Sequence, residues 1–389
     1  MGVKDSIRLG RVGGVTIGLN WSLIVIALLL AFGLADNRFP ADAPTAGDTA
    51  YAVAGAITAV ALLLAVLLHE LGHAVVARRF GMKVDGITLS WLGGQTRIEG
   101  DARTPGVELA IGAVGPAVSL ALGGILWLVR LPLAAAGGHA LVISALGWLA
   151  VINVVLAVFN LVPASPLDGG RVLHAVIWGV TRNRWKATRA ASLAGVGLGA
   201  AMVVVGFSRL LTIGAQVDGL VLMVLGFWIM ASARSEEQAA HVVAVLDPFQ
   251  VADVMRPVGA APGWITVRNF IEHYDSPRPG WVWLLERWNE PGYSGLVAGE
   301  DLRQIPPTRW DALRPGDLAL PVDKAGAARA REPVLGALRR SGGQQVLLVI
   351  EGGRTVGAVL PSDVQSLIRT GQRPAPGAHR PAEAGGPLR

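Results

Sequence analysis

The sequence predicts an α-helical polytopic membrane protein of about six transmembrane helices, followed by a C-terminal soluble α/β domain. Three observations carry this. Of 389 residues, 52% are apolar and only 16% charged, against ~25% charged in ordinary soluble domains, and the mean hydropathy is +0.48. Long runs without Asp, Glu, Lys or Arg recur up to about residue 235. After Arg234 the composition turns to that of a soluble α/β protein.

A hydrocarbon core of ~30 Å needs about 20 apolar residues to cross it. The runs Val12 to Ala35, Thr49 to Leu68, Leu109 to Val129 and Ala190 to Ser208 are long enough and free of charge. Leu131 to Leu167 is too long for one span and breaks at Pro163 and Pro166, which predicts a helix around residues 139 to 161 followed by irregular chain. Gly219 to Ala233 is the sixth and shortest. Lys4, Arg8 and Arg11 precede the first run without a small-residue cleavage site after it, as for a retained anchor. With a cytoplasmic N-terminus and alternating spans, thirteen Lys and Arg residues fall on inner segments and only Arg38, Arg130 and Arg209 outside, which places the C-terminal half in the cytoplasm.

The chain has no cysteine, which excludes disulfides, thiolate zinc sites and a cysteine nucleophile. Of its net charge of +6, +5 sits in the apolar half, where membrane orientation accounts for it, so no nucleic-acid partner is expected. The membrane half contains neither a GxSG serine motif nor a GxGD aspartyl motif.

The second run ends in His69-Glu70-Leu71-Gly72-His73, an HExxH pattern on a predicted helix. Residues four apart share a helix face, so both imidazoles can reach one ion with Glu70 beside them as general base. Ionisable groups at a membrane helix end are expensive and default to a functional reading. Catalytic zinc takes three protein ligands and keeps one position open. Asp168 is the candidate third ligand, because it is the one carboxylate in the Pro- and Gly-broken stretch Asn160 to Arg171, and alternating spans bring it to the depth of His73. Taken alone, Asp168 reads as a turn or N-cap residue, and it is the shared depth that favours the ligand reading. His139 and His174 lack such spacing and are read as structural, and Gly195-Val-Gly-Leu-Gly199 as a helix-packing face.

HExxH on the second span, Asn160-x-x-Pro163-x-x-x-Leu167-Asp168-Gly169 after the fourth, and Gly14 to Ser22 before the first together resemble the site-2 protease family of intramembrane zinc metalloproteases. The resemblance covers about residues 5 to 235. It implies one zinc per chain on His69, His73 and Asp168, with Glu70 activating a zinc-bound water. It further implies that Asn160 and Pro163 shape the substrate approach, that Gly115-Pro116 packs the third span by the site, and that Gly93 to Gly100 forms a β-hairpin whose Gly93 and Gly94 guide an extended substrate. Trp91 and Gly93-Gly94 read equally as an interfacial anchor and a plain turn. The substrate implied is a single-pass transmembrane protein, with membrane lipid as surroundings. Where the family often has Asn after the Gly-Pro, this chain reads Ala117-Val118-Ser119, so no polar role is expected there.

In the soluble half, Gly295 to Leu302 and Gly357 to Val364 repeat at an offset of 62, and Arg256-Pro257 and Arg314-Pro315 at 58. Residues 244 to 370 thereby resemble a tandem pair of cystathionine-β-synthase (CBS) domains, which implies a regulatory module and a possible homodimer through the pair. The hydroxyl residues expected three positions before Asp301 and Asp363 are Ala298 and Leu360, so adenosine nucleotides are expected to bind weakly. Residues 371 to 389 are Pro-, Gly- and Ala-rich and expected to be disordered. The competing reading is a CBS-regulated transporter or metal-binding receptor without protease activity. A transporter should show broken helices in two repeated halves, and only one broken segment is present.

Overall fold

The computed structural model describes residues 6–12, 14–90, 93–212, 215–342, 344 and 346–371. Lys4, Trp91 and the expected disordered tail beyond Gly371 lie outside the described residues. The chain divides into two compact units, residues 1–238 and 239–389.

The first unit opens with strands rather than with a membrane helix. β1 (Ser6–Val12) and β2 (Val15–Asn20) pair antiparallel, and β2 runs parallel to β3 (Lys83–Ser90), which pairs antiparallel with β4 (Gly93–Glu99). The expected first span, Val12 to Ala35, is thus corrected at its start. Absence of charge does not separate a buried strand from a helix. The boundary lies at Asn20, whose side chain accepts from the Ser22 N–H at 3.0 Å and caps α1 (Trp21–Gly33). The expected hairpin is corrected as well: the stretch from Gly93 supplies one strand only, β4, and the other arm of the hairpin is the preceding β3.

Six helices among the described residues are long and apolar enough to cross a membrane: Trp21–Asp42, Asp48–Arg79, Pro105–Ala135, Ala140–Asn160, Arg184–Leu210 and Gln216–Leu246. The first comprises α1, a π-helical turn and the short α2 (Phe39–Asp42). The others are α3 (Asp48–Arg79), α4 (Pro105–Ala135), α5 (Ala140–Asn160), α7 (Arg184–Leu210) and α8 (Gln216–Leu246), with α6 (Asp168–Thr181) between α5 and α7. α3 stops where Gly81, at φ +77, lets its N–H and that of Met82 close on the Arg78 and Ala77 carbonyls. Thr104 caps α4 and Asn183 caps α7 through their side-chain oxygens. Leu28, Leu29, Phe32, Val204 and Phe207 remain exposed on the helices, as a lipid-facing surface requires.

The small-residue face predicted on α7 is a packing seam. A Cβ at Gly199 would lie 2.5 Å from the Gly226 carbonyl oxygen, and one at Gly206 would lie 2.6 Å from that of Gly219, so α7 and α8 meet backbone to backbone at two levels.

The second unit is a seven-stranded sheet in the order β8-β7-β6-β5-β11-β10-β9, made of two like copies. The first comprises α9 (Val251–Val254), β5 (Arg256–Pro262), α10 (Val267–Phe270), β6 (Val282–Arg287), β7 (Glu290–Ala298) and α11 (Gly299–Arg303). The second comprises α12 (Pro315–Leu318), β8 (Leu320–Pro321), β9 (Ala325–Ala328), α13 (Val334–Arg340), β10 (Val346–Glu351), β11 (Arg354–Val359) and α14 (Pro361–Thr370). This is the tandem repeat expected. One alignment is corrected: the counterpart of Arg256-Pro257 is Leu320-Pro321, since both open the leading strand, whereas Arg314-Pro315 begins a helix. Each leading strand pairs with the last strand of the other copy, Pro257 with Gly357 and Pro321 with Gly295. Arg256 holds Asp363 at 2.6 Å and Glu300 at 3.0 Å, and the other Asp363 oxygen accepts from the Leu360 N–H.

Gly206→Ala is therefore expected to weaken the α7–α8 seam by about 1–3 kcal/mol, because neither backbone can withdraw. Gly197→Ala, where a Cβ meets nothing within 4 Å, should be neutral or gain up to ~1 kcal/mol. Equilibrium unfolding of both variants in micelles separates the two outcomes.

Candidate metal centre

His69 and His73 project from the same face of α3 and are buried, with ring centroids 5.0 Å apart. Asp168, the first residue of α6, sends Oδ2 to 3.1 Å from His69 Nε2 and 3.3 Å from His73 Nε2. One donor atom from each residue lies within 4.8 Å of the others, although the two ends of the cluster are 99 residues apart in the chain.

The far ring nitrogens are also fixed. His73 Nδ1 lies 2.7 Å from the Ile111 carbonyl, which can only accept, so Nδ1 carries the proton and Nε2 presents a lone pair to the cluster. His69 Nδ1 lies 2.9 Å from Ser119 Oγ, a hydroxyl with no exposure at all. Both contacts come from α4 and orient the rings as outer partners of metal-bound histidines do. The absence of a polar role expected at Ala117-Val118-Ser119 is thereby corrected. A single Ser on an apolar helix carries no signal of its own; only its spacing from Gly115, one helical turn away, could have pointed to it.

Gly115 makes the approach possible. A Cβ there would lie 2.2 Å from His73 Nε2 and 2.5 Å from His69 Nε2, so α4 crosses the imidazoles with bare backbone. Pro116 is buried beside it, which puts the Gly-Pro pair by the site as the resemblance implies. The donor set, two imidazole nitrogens and one carboxylate oxygen over a surface free of side chain, fits zinc with one position left open.

Glu70 is buried under β4. Thr96 donates its hydroxyl to Glu70 Oε2 at 2.7 Å, and a Cβ at Gly94 would lie 2.2 Å from Glu70 Cγ. Gly94 therefore lies directly on the Glu70 side chain, while Gly93, at φ +110, opens the strand opposite Ser90. Asn160 ends α5 half-buried and Pro163 lies exposed in the turn before α6. Among the described residues no hydrogen bond ties either to the three donors. His174 pairs with Glu108 at 2.9 Å, and His139 stands at the N-terminus of α5, both outside the cluster.

The model of peptidase family M50 matches residues 57–137 and 132–204, the ranges that hold HExxH and Asp168. A Mycobacterium tuberculosis protein bearing the name zinc metalloprotease Rip3 is 37% identical over 371 residues, covering 94% of this chain and 93% of its own. The chain belongs to peptidase family M50, the site-2 protease family. It is a multi-pass membrane zinc metalloprotease. Among solved structures, the site-2 protease from Methanocaldococcus jannaschii is similar, at 28% identity over 60% of this chain and 95% of that one, with a TM-score of 0.42. The CBS domain of a bacterial CNNM/CorC family Mg2+ transporter is similar to 35% of this chain over 97% of its own, at 20% identity and a TM-score of 0.24.

Gly115→Ala should abolish zinc binding while its helix persists, since Ala favours a helix by about 1 kcal/mol over Gly. Ser119→Ala should weaken zinc binding by about tenfold, the lower end for loss of an outer partner. Zinc content after dialysis against graded chelator measures both.

Proposed function

We propose that this M50 protease cuts single-pass transmembrane proteins within or beside the bilayer, with His69, His73 and Asp168 holding the zinc and Glu70 as general base. The observation that carries the reading is the convergence of the three donors beside a buried glutamate toward the C-terminal end of a span. α3 has 32 residues, about 48 Å at 1.5 Å per residue, and His69 follows the last residue of its charge-free run. That sets the donors near the edge of a ~30 Å hydrocarbon layer, where water and a partly unwound substrate can both arrive.

Zinc held there by His69, His73 and Asp168 would supply Lewis-acid activation of a water and polarisation of the scissile carbonyl. Glu70 takes the proton of that attacking water and returns it to the departing nitrogen, and Thr96 holds the carboxylate in place for both transfers. β4 is an edge strand of its sheet, so an extended substrate can add to it beside Glu70, with Gly93 and Gly94 leaving room and Asn160 and Pro163 flanking the approach. The N-terminus and the C-terminal unit face the cytoplasm of the cell membrane, as the asymmetry of basic residues supports. The CBS-like unit regulates or docks a protein, with self-association through the pair as one form of this. Both Asp363 oxygens are already engaged, by Arg256 and by the Leu360 N–H, which supports weak rather than tight nucleotide binding.

Glu70→Gln keeps the side-chain shape and should leave zinc bound, yet lower cleavage of a co-expressed single-pass substrate by about 10²–10⁴-fold. Asp168→Asn removes the anionic ligand, so zinc and activity should fall together. Cleavage by Glu70→Gln at the wild-type rate would overturn the base assignment.

The topology is tested with single cysteines in a chain that has none. An impermeant maleimide applied to intact cells should label Ala136→Cys, between α4 and α5, and spare Arg354→Cys in the C-terminal unit. Labelling of Arg354→Cys would reverse the orientation.

A further inference from the structure

Asp168 is presented by the turn of residues 161–167, and that turn is gripped on its far side. The buried Ser165 donates its N–H to the Ala191 carbonyl of α7 at 3.1 Å, and its hydroxyl donates to the Glu236 carboxylate of α8. A Cβ at Gly195 would lie 1.9 Å from the Ser165 carbonyl oxygen and 2.9 Å from Ala233 Cβ, so α7 and α8 close on Ser165 without a gap. Between Ser165 and Asp168 the chain has no slack. Leu167 N–H donates to the Ala164 carbonyl at 3.0 Å and Gly170 N–H to that of Leu167 at 2.9 Å. Cβ atoms at Gly169 and Gly170 would lie 2.3 Å from the Val162 oxygen and 2.6 Å from Ser165 N, so the turn folds directly onto the first residues of α6.

We propose that Glu236 is a positioning residue of the zinc site, acting through Ser165 on Asp168. The proposal rests on Asp168 being a zinc ligand and adds a residue from the last membrane helix, outside both the HExxH and the Leu-Asp-Gly patterns. The reason is mechanical and electrostatic. A buried hydroxyl needs a partner, and a charged carboxylate acceptor makes the bond stronger than a neutral one. Glu236 is itself exposed, so water would satisfy it fully, and its turn toward Ser165 fixes the turn at the cost of that freedom. Ser165 then transmits its position over three residues of closed backbone to the carboxylate that meets both imidazoles.

The test uses the full chain in detergent, with zinc retention read by competition against a chelator of known affinity, and kcat and KM measured on a single-pass substrate. Glu236→Ala and Ser165→Ala should each weaken zinc retention by about 10-fold or more and lower kcat with KM near wild type. The double variant should be no worse than either single one, because both remove the same bond. Glu236→Gln, whose amide oxygen still accepts from the Ser165 hydroxyl, should restore most of the loss, which a chain damaged in folding would not show. Wild-type zinc retention in Glu236→Ala, with zinc lost in Asp168→Asn, would overturn the positioning role alone. An equal loss in Glu236→Gln would overturn the route through Ser165. Full zinc retention in Asp168→Asn would overturn the ligand assignment itself.

Discussion

Everything in the membrane unit turns on how closely α4 passes over two imidazoles. Neither α3 nor the α5–α6 turn could present its donors to one point if a side chain stood at Gly115, since a Cβ there would overlap both Nε2 atoms. Once the backbone is that near, the rest follows from it. The Ile111 carbonyl and Ser119 hydroxyl fall one turn to either side, at the two outer nitrogens, and Gly112 lets the start of α6 lie against the same helix, with a Cβ there 3.2 Å from the Asp168 carbonyl oxygen. A single helix thus shapes the donors, their protonation and their third member.

The same economy holds on the neighbouring face of α3. Glu70 faces away from the lipid and under β4, where Gly94 and Thr96 meet it with backbone and hydroxyl. The four-stranded sheet stays in place through Ile87, Leu89 and Val15, which pack with Ala74 of α3 and Leu23 of α1. Glu70 and the sheet are therefore parts of one packed layer, and the carboxylate owes its orientation to a strand that comes after it in the chain.

Residues whose chemistry is costly in a membrane are readable from the sequence. His69, Glu70, His73 and Asp168 stand out because ionisable groups beside apolar runs demand a reason, and six apolar helices are plain from length and charge. Ser119 and Glu236 are not readable: a hydroxyl inside an apolar helix and a carboxylate after a span resemble many others, and only their contacts distinguish them. Charge alone misplaces the start of the first helix, because Val15 to Asn20 is as free of charge as the span it precedes, while its strand pairing lies some 70 residues away, with Thr16 opposite Gly86. The repeat of the soluble half is visible, but the Arg-Pro dipeptides suggest a register that the strand ladder replaces, because identical dipeptides open a strand in one copy and a helix in the other.

The exchange of leading strands in the second unit has a consequence for how it can be divided. Pro257 is laddered to Gly357 and Pro321 to Gly295, so each copy completes its sheet with chain from the other. Severed between Gln304 and Pro315, neither half would retain a finished edge, and each would expose a row of unmatched amides open to foreign strands. The two copies must therefore rise and fall as one cooperative block. A ligand or protein that steadies one copy steadies the other by the same free energy, without needing a second point of attachment.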